Sequence, residues 1–248
     1  TGRAKTVGVT GSAGVGKSTL SNALAREERA RGRTVGIVAV DPSSPFSHGA
    51  ILGDRIRMQE LTSDGGVFLR STASRGSLGG LSETSTGVVD VLDAAGYDVV
   101  LLETVGAGQD EVEVATATQT TVLVTAPSAG DDVQAMKAGL MEIAQVMVIN
   151  KADLAGADTT QAQLRSLLSL ASDRSWKPPI VQTIARGGDG VSELVDAIDE
   201  HHDYSRNSEH AADERRALAR AQIISLARIS LAREALTTAE RVGILDGL

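Results

Sequence analysis

Gly11-Ser12-Ala13-Gly14-Val15-Gly16-Lys17-Ser18 satisfies Gly-x4-Gly-Lys-Ser/Thr, the pattern of a loop that wraps a phosphate chain. The residues before it, Thr6-Val7-Gly8-Val9-Thr10, read as a short buried strand, and Thr19 to Arg31 reads as the helix that such a loop opens. Glycines at 11, 14 and 16 let backbone N–H groups curl round a phosphate without Cβ clashes, and the helix N-terminus points partial positive charge at the same place. The expected cradle is Gly11, Ser12, Ala13, Gly14, Val15, Gly16, Lys17, Ser18 and Thr19. Within it Lys17 reaches the β- and γ-phosphates and Ser18 ligates magnesium through its hydroxyl.

Outward from this loop the chain alternates strand and helix. Arg33 to Asp41 is an almost continuous β-branched run, the mark of a buried parallel strand, and it ends on a carboxylate. Residues 42–50 are a Pro- and Gly-containing loop, followed by a short helix from Ile51 to Leu61 that carries Asp54. Val67-Phe68-Leu69 reads as a strand, Thr86 to Ala95 as a helix, and Asp98 to Glu103 as a strand that again finishes on a carboxylate. Further strands are expected at Thr120 to Thr125, Val146 to Ile149 and Ile180 to Thr183. The helices between and after them are expected at Val133 to Ile143, Gln161 to Ala171 and Val191 to His201. This pattern predicts an α/β fold of the P-loop NTPase kind: an open, mostly parallel sheet with helices on both faces, plus a C-terminal helical arm. Ligands of such sheets bind outside the carboxyl ends of the strands, where all these loops gather.

The length of 248 residues and 42% hydrophobic content suit one nucleotide-binding domain, residues 1–203, with a helical extension at 204–248. In that extension Leu218, Ile223, Ile224, Leu226, Ile229, Leu231 and Leu236 form a broad apolar stripe. It either folds back on its own domain or serves as a dimerisation arm that makes a homodimer. The formal charge of −8 argues against nucleic acid or an anionic membrane surface as partner. There is no cysteine, no apolar run of membrane-spanning length and no secretory signal, and a cytoplasmic location is expected. The four histidines lack metal-like spacing and read as surface residues, and Trp176 reads as a packing residue.

A second motif fixes the base. Asn150-Lys151-Ala152-Asp153 is an Asn-Lys-x-Asp at a strand end. Guanine presents N1–H and an exocyclic amino group side by side, so one carboxylate, Asp153, accepts both; adenine has no such pair, and mispairing leaves buried polar groups unsatisfied. Asn150 is expected to brace the phosphate loop, the stem of Lys151 to cover the base, and the Ala185 backbone N–H to meet guanine O6. Magnesium needs hard oxygen ligands and keeps several waters. Asp41 and Glu103, ending the two strands expected to flank the phosphate-loop strand, are candidates for holding those waters, with Asp54 as a third.

Several longer strings resemble the MeaB/ArgK GTPases, the MMAA-type chaperones of cobalamin-dependent mutases. They are Val40-Asp41-Pro42-Ser43-Ser44-Pro45-Phe46 with Gly49 to Met58, Arg75-Gly76-x-Leu78-Gly79-Gly80-Leu81, Glu103-Thr104-Val105-Gly106-x-Gly108-Gln109, Gly130-Asp131-Asp132-x-Gln134-Ala135-x-Lys137-Ala138-Gly139, and Asn150 to Asp153. The likeness runs from residue 6 to about residue 202, and the chain looks short of family helices at both ends. The resemblance implies a SIMIBI-type magnesium-dependent GTPase in which Lys17, Asp41, Glu103 and Lys137 carry the chemistry. In such a protein the loop before Lys137 acts as a third switch. The resemblance also implies a partner, an adenosylcobalamin-dependent acyl-CoA mutase of the methylmalonyl-CoA type, with adenosylcobalamin met only through it. Two nucleotide-using rivals remain: a metal-insertion GTPase, which normally carries Cys or His tracts, and an ATP-dependent kinase or transport ATPase, which Asp153 disfavours. A third is a nucleotide-bound scaffold whose long C-terminal helix does the work.

Overall fold

The computed structural model describes residues 3–41, 61, 63–73, 83–104, 110–127, 138–170, 175–208 and single positions between 213 and 238; of Asp41 only the backbone is described. The chain runs β1 (Lys5–Thr10), α1 (Lys17–Ala30), β2 (Val35–Asp41), β3 (Val67–Ala73), α2 (Glu83–Ala94), β4 (Val99–Glu103) and α3 (Asp110–Ala117). It continues through β5 (Thr120–Thr125), α4 (Ala138–Ile143), β6 (Val146–Asn150), α5 (Ala157–Leu170), β7 (Ile180–Thr183) and α6 (Val191–Asn207).

The seven strands form one sheet in the order β3-β2-β4-β1-β5-β6-β7, and every pairing is parallel. The central strands are buried along their whole length, which is why they read as unbroken β-branched runs with little alternation. Alternate residues nonetheless go to opposite faces. Val7, Val9, Ile37, Leu101, Val122 and Val148 pack under α1 and α6, against Leu20, Leu24, Leu194 and Ile198. The other face is covered by α2 and α3 over Val38, Val100 and Leu102, and by α4 and α5 over Leu123, Met147 and Ile149. Leu20 and Leu24 sit four residues apart on α1 and are fully buried, each contributing roughly 1.5–3 kcal/mol by burial. The expected α/β architecture with helices on both faces is thus present.

Three expectations need amendment. Glu103 does end a neighbour of the phosphate-loop strand, since Val9 pairs with Glu103, but Asp41 does not: β4 lies between β2 and β1, and the other neighbour of β1 is β5. Sequence order says which strands exist and not how a parallel sheet is wound, so the central position of β4 was invisible in it. The helix α3 was not anticipated, because its short run Asp110–Ala117 is weakly amphipathic and follows a glycine-rich loop. His201 and His202 are buried and not on the surface, being 3% and 9% exposed. They fall on the inner side of α6, which continues through the expected domain boundary to Asn207.

At the amino-terminal end of the sheet, β1, α1 and α6 are tied by ion pairs. Lys5 pairs with Asp199 and Glu28, and Arg33 bridges Glu28 and Asp199 at 2.7 Å each. Burial works to raise the Asp199 carboxyl, but the hydrogen bonds from Arg33 and Lys5 outweigh it and hold it below the usual carboxylate range. Nearby, His201 Nδ1 meets Thr120 Oγ1 at 2.8 Å and its ring stands edge-on to Trp176 with centroids 5.0 Å apart. Trp176 donates its indole N–H to Gln145 O at 2.8 Å, the packing role expected of it. Beyond α6, the described positions from Asp213 to Thr238 are helical and exposed, including Ile223, Ile224 and Leu231, whereas Leu218, Leu226, Ile229 and Leu236 of the same stripe lie outside the described residues.

Candidate functional site

Because all strands run the same way, the residues that leave β1, β4, β6 and β7 meet along one edge. Two glycines set the shape of the phosphate loop. Gly11 has φ +139°, and a Cβ there would stand 2.1 Å from Val124 O on β5, so no other residue fits. Gly16, at φ +96°, is the residue from which α1 starts; a Cβ there would stand 2.6 Å from Asn150 Nδ2. The crown of the loop, Ser12 to Gly14, is exposed, whereas Val15 and Lys17 are buried. Thr19 lies half-buried in the first turn of α1.

Lys17 Nζ donates to Gly11 O at 2.7 Å and to Ser12 O at 2.9 Å, so the ammonium is folded into the loop it is expected to serve. Ser18 Oγ donates to Glu103 Oε1 at 2.5 Å, joining the start of α1 to the end of β4. The carboxylate is only 3% exposed. A serine hydroxyl and a buried carboxylate in contact are hard oxygen donors of the kind magnesium takes, and two protein oxygens leave room for the waters that this ion retains. Among the described residues there is no group of three or more His, Cys, Asp or Glu that could hold a metal ion.

The base-binding corner is built round Asn150, 2% exposed at the end of β6. Its Nδ2 donates to Val15 O at 2.9 Å, while its Oδ1 accepts from Thr183 Oγ1 at 3.1 Å and from the Ala185 N–H at 3.2 Å. One amide thus ties β6, the phosphate loop and the turn after β7. Bracing of the loop was expected; the engagement of the Ala185 N–H was not, and that donor reaches a guanine O6 only by sharing itself between two acceptors. Lys151 has φ +57°, a left-handed backbone uncommon outside glycine, and its Nζ donates to Gly14 O at 2.7 Å. This carries its aliphatic stem over the loop, with Cε close to Gly16. Asp153 follows, exposed, on the turn beyond β6.

The structure therefore brings together the loop 11–18, Glu103, Asn150, Lys151 and Ala185, and places Asp153 at the same edge. Asp41 ends a strand of that edge but one strand further from the loop. Asp54, Gln109, Asp131 and Lys137 lie outside the described residues. Sequence reasoning passed over Thr183, whose hydroxyl completes the Asn150 contacts, and also Thr10 and Thr104, which meet beneath the loop. A threonine at the last position of a strand that enters the site was the available signal for Thr10 and Thr183.

Comparison with known proteins agrees with this geometry. The family model described as methylmalonyl-CoA mutase-associated GTPase MeaB matches residues 1–240. A protein of Pyrococcus abyssi that bears a provisional GTPase name is 52% identical over 220 residues, spanning 87% of this chain and 68% of that protein. The mouse protein named methylmalonic aciduria type A homolog, mitochondrial, is 38% identical over 199 residues, spanning 78% of this chain and 48% of that protein. Among solved structures, that of a LAO/AO transport system kinase superposes with a TM-score of 0.72 at 27% identity, covering 96% of this chain and 70% of that one. HypB from Helicobacter pylori in complex with nickel gives a TM-score of 0.60 at 16% identity over 84% of this chain and 91% of that one, a likeness of fold alone. The chain belongs to the MeaB family of methylmalonyl-CoA mutase-associated GTPases, enzymes that hydrolyse GTP.

Proposed function

We propose that this chain is a magnesium-dependent GTPase that acts as a chaperone for an adenosylcobalamin-dependent acyl-CoA mutase of the methylmalonyl-CoA type. In this reading it gates delivery of the cofactor and protects the mutase, and adenosylcobalamin is met only through that partner. The observation that carries the nucleotide part is the pair of contacts at the loop: the buried Lys17 ammonium held by the Gly11 and Ser12 carbonyls, beside the Ser18–Glu103 hydrogen bond. An ammonium held by two carbonyls is a stored cation, and a phosphate chain entering the loop offers it stronger acceptors. Lys17 would then face the β- and γ-phosphates with the loop N–H groups round them, Ser18 would hold magnesium through its hydroxyl, and Glu103, with Asp41 and Asp54, would hold the waters of that ion. Magnesium bound there would neutralise charge on the β- and γ-phosphate oxygens. Transfer of the γ-phosphoryl to water then depends on positioning and electrostatics, with no covalent work for the protein.

Support for guanine comes from the corner at Asn150, which fixes the turn that carries Asp153 to the phosphate loop, so base and phosphate are read by one rigid unit. The coupling to the partner is assigned to residues 127–137: mutase binding reorders that loop, Lys137 is drawn toward the γ-phosphate or toward a carboxylate such as Asp131, and hydrolysis accelerates. By linkage, nucleotide state then alters mutase affinity. The exposed Ile223, Ile224 and Leu231 support a homodimer formed through the C-terminal helix. The test is steady-state GTP turnover with and without magnesium and with and without methylmalonyl-CoA mutase, for the wild type and Lys137→Ala. The reading expects magnesium-dependent turnover that the mutase raises and Lys137→Ala blunts. Equal turnover with ATP would sink the guanine assignment, and absence of any mutase effect would sink the chaperone assignment.

A further inference from the structure

We propose that Thr104 is a positioning residue for GTP hydrolysis: its hydroxyl, paired with that of Thr10, holds the corner from which Glu103 faces Ser18. The proposal rests on the reading of Ser18 and Glu103 as the metal-binding pair.

Thr104 is the first residue after β4, and its N–H donates to Val9 O at 3.1 Å. This carries the β1–β4 ladder one step past the Val9–Glu103 pair. Its Oγ1 lies 3.2 Å from Thr10 Oγ1 and 3.5 Å from Val9 O. Thr10 is 0% exposed and Thr104 is 1% exposed. Valine has the same shape as threonine, so packing alone asks for no hydroxyl at either position. A buried hydroxyl lowers stability unless it is bonded, and here each meets the other.

The placement of the pair gives it a use. Thr10 immediately precedes Gly11, where the phosphate loop begins; Thr104 immediately follows Glu103. The corner at 103–104 is therefore fastened to both ends of the loop, by hydroxyl to residue 10 and by carboxylate to residue 18. The second contact is short, and a shift of the 104 backbone moves the Cα of Glu103 by a comparable distance. Neither threonine is placed among the phosphate-binding or base-binding groups, so the pair acts through Glu103.

The experiment uses the full chain with Thr104→Val, Thr104→Ser, Thr10→Val and the Thr10→Val/Thr104→Val double variant. GTP turnover and calorimetric GDP affinity are each measured across a magnesium titration, and the melting temperature is read without nucleotide. Loss of one buried hydroxyl bond predicts a rise of roughly fivefold in the magnesium concentration for half-maximal turnover. The same rise is expected in the magnesium dependence of GDP affinity. GDP affinity without magnesium should stay within about twofold of wild type, because the loop amides and Lys17 are untouched. Thr104→Ser should restore the wild-type curves, and the double variant should shift no further than Thr104→Val alone, since that change already removes the bond to Thr10. A wild-type magnesium curve in Thr104→Val, an equal shift in Thr104→Ser, or shifts that multiply in the double variant would each overturn the proposal. If Thr104→Val does not fold, Thr10→Val carries the same test from the other side of the pair. Wild-type turnover that ignores magnesium would overturn the reading of the site itself, and this proposal with it.

Discussion

His201 gives a prediction whose size and sign both come from its surroundings. Burial lowers its pKa from 6.5 to about 4, with the neighbouring His202 adding in the same direction. In the unfolded chain the imidazole takes a proton as pH falls through 6.5, whereas in the folded chain it resists until about 4. Between those values the unfolded state binds the extra proton, so stability is full above 6.5, falls as pH drops, and stops falling on this account below 4. A gap of about 2.5 pH units at about 1.36 kcal/mol each amounts to about 3 kcal/mol. His201→Phe keeps a ring against Trp176 but removes the bond to Thr120 Oγ1, which lowers stability by about 1 kcal/mol at neutral pH. The two stability curves should therefore cross. The variant is less stable than wild type at pH 7, and near pH 4 it is more stable by about 2 kcal/mol, the difference between those two effects. His202 is also pushed down by burial, but it is present in both proteins and cancels. Urea unfolding across this pH range, followed by the fluorescence of Trp176, the chain's single tryptophan, measures both curves. Parallel curves with no crossing would refute the burial argument.

Asn150→Ala removes one bond to the phosphate loop, one to the end of β7 and one to the turn after it, and should lower stability by about 2–4 kcal/mol while weakening GDP binding, as urea unfolding and calorimetry would show. Intact stability would mean that the three contacts do not brace the site. Asp153→Asn should shift preference from guanine toward xanthine nucleotides, because the new amide brings a donor to where guanine presents donors; calorimetry with GDP and XDP decides it, and unchanged guanine affinity counts against Asp153. Lys17→Ala should cut GTP turnover by about 10²–10³ while the circular-dichroism spectrum stays folded, since the ammonium acts on phosphate charge and not on the core. A melted spectrum would mark Lys17 as structural.

Much of this site was legible because its residue types are forced by a backbone geometry that short motifs record. Gly11 and Gly16 stand where a Cβ would strike Val124 O and Asn150 Nδ2, so the motif glycines record backbone geometry directly. Asn150 follows the same rule, since only a side chain with both a donor and an acceptor can meet Val15 O on one side and the Thr183 hydroxyl and Ala185 N–H on the other. The parts that were not legible belong to no short motif and show only in tertiary contacts. Nothing near residue 201 says that α6 turns its two histidines inward. The burial of His201 follows from Thr120 and Trp176, which lie 81 and 25 positions away and come to rest against that face only after the sheet forms. Thr104 was likewise silent, because it lies one residue past β4 and gains its meaning only when Thr10 is brought opposite it.

The strand order also decides how the two carboxylates divide their work. Neighbouring parallel strands lie about 4.8 Å apart, so β4 stands one spacing from the phosphate-loop strand and β2 stands two, about 9–10 Å away. At one spacing a glutamate side chain reaches Ser18 directly, as Glu103 does. Asp41 starts twice as far out with a side chain one methylene shorter, so on the proposed magnesium reading it would act through a water held by the metal. The longer residue is on the nearer strand, in contact with α1 itself. It follows that Glu103→Gln should disturb the Ser18 hydroxyl even with no ligand present, because an amide replaces a charged acceptor, whereas Asp41→Asn should leave the nucleotide-free chain as it is and act only once magnesium and its waters are in place. Melting curves of the two variants with and without magnesium and GDP separate these behaviours, and a loss in Asp41→Asn without nucleotide would show that Asp41 also serves the empty fold.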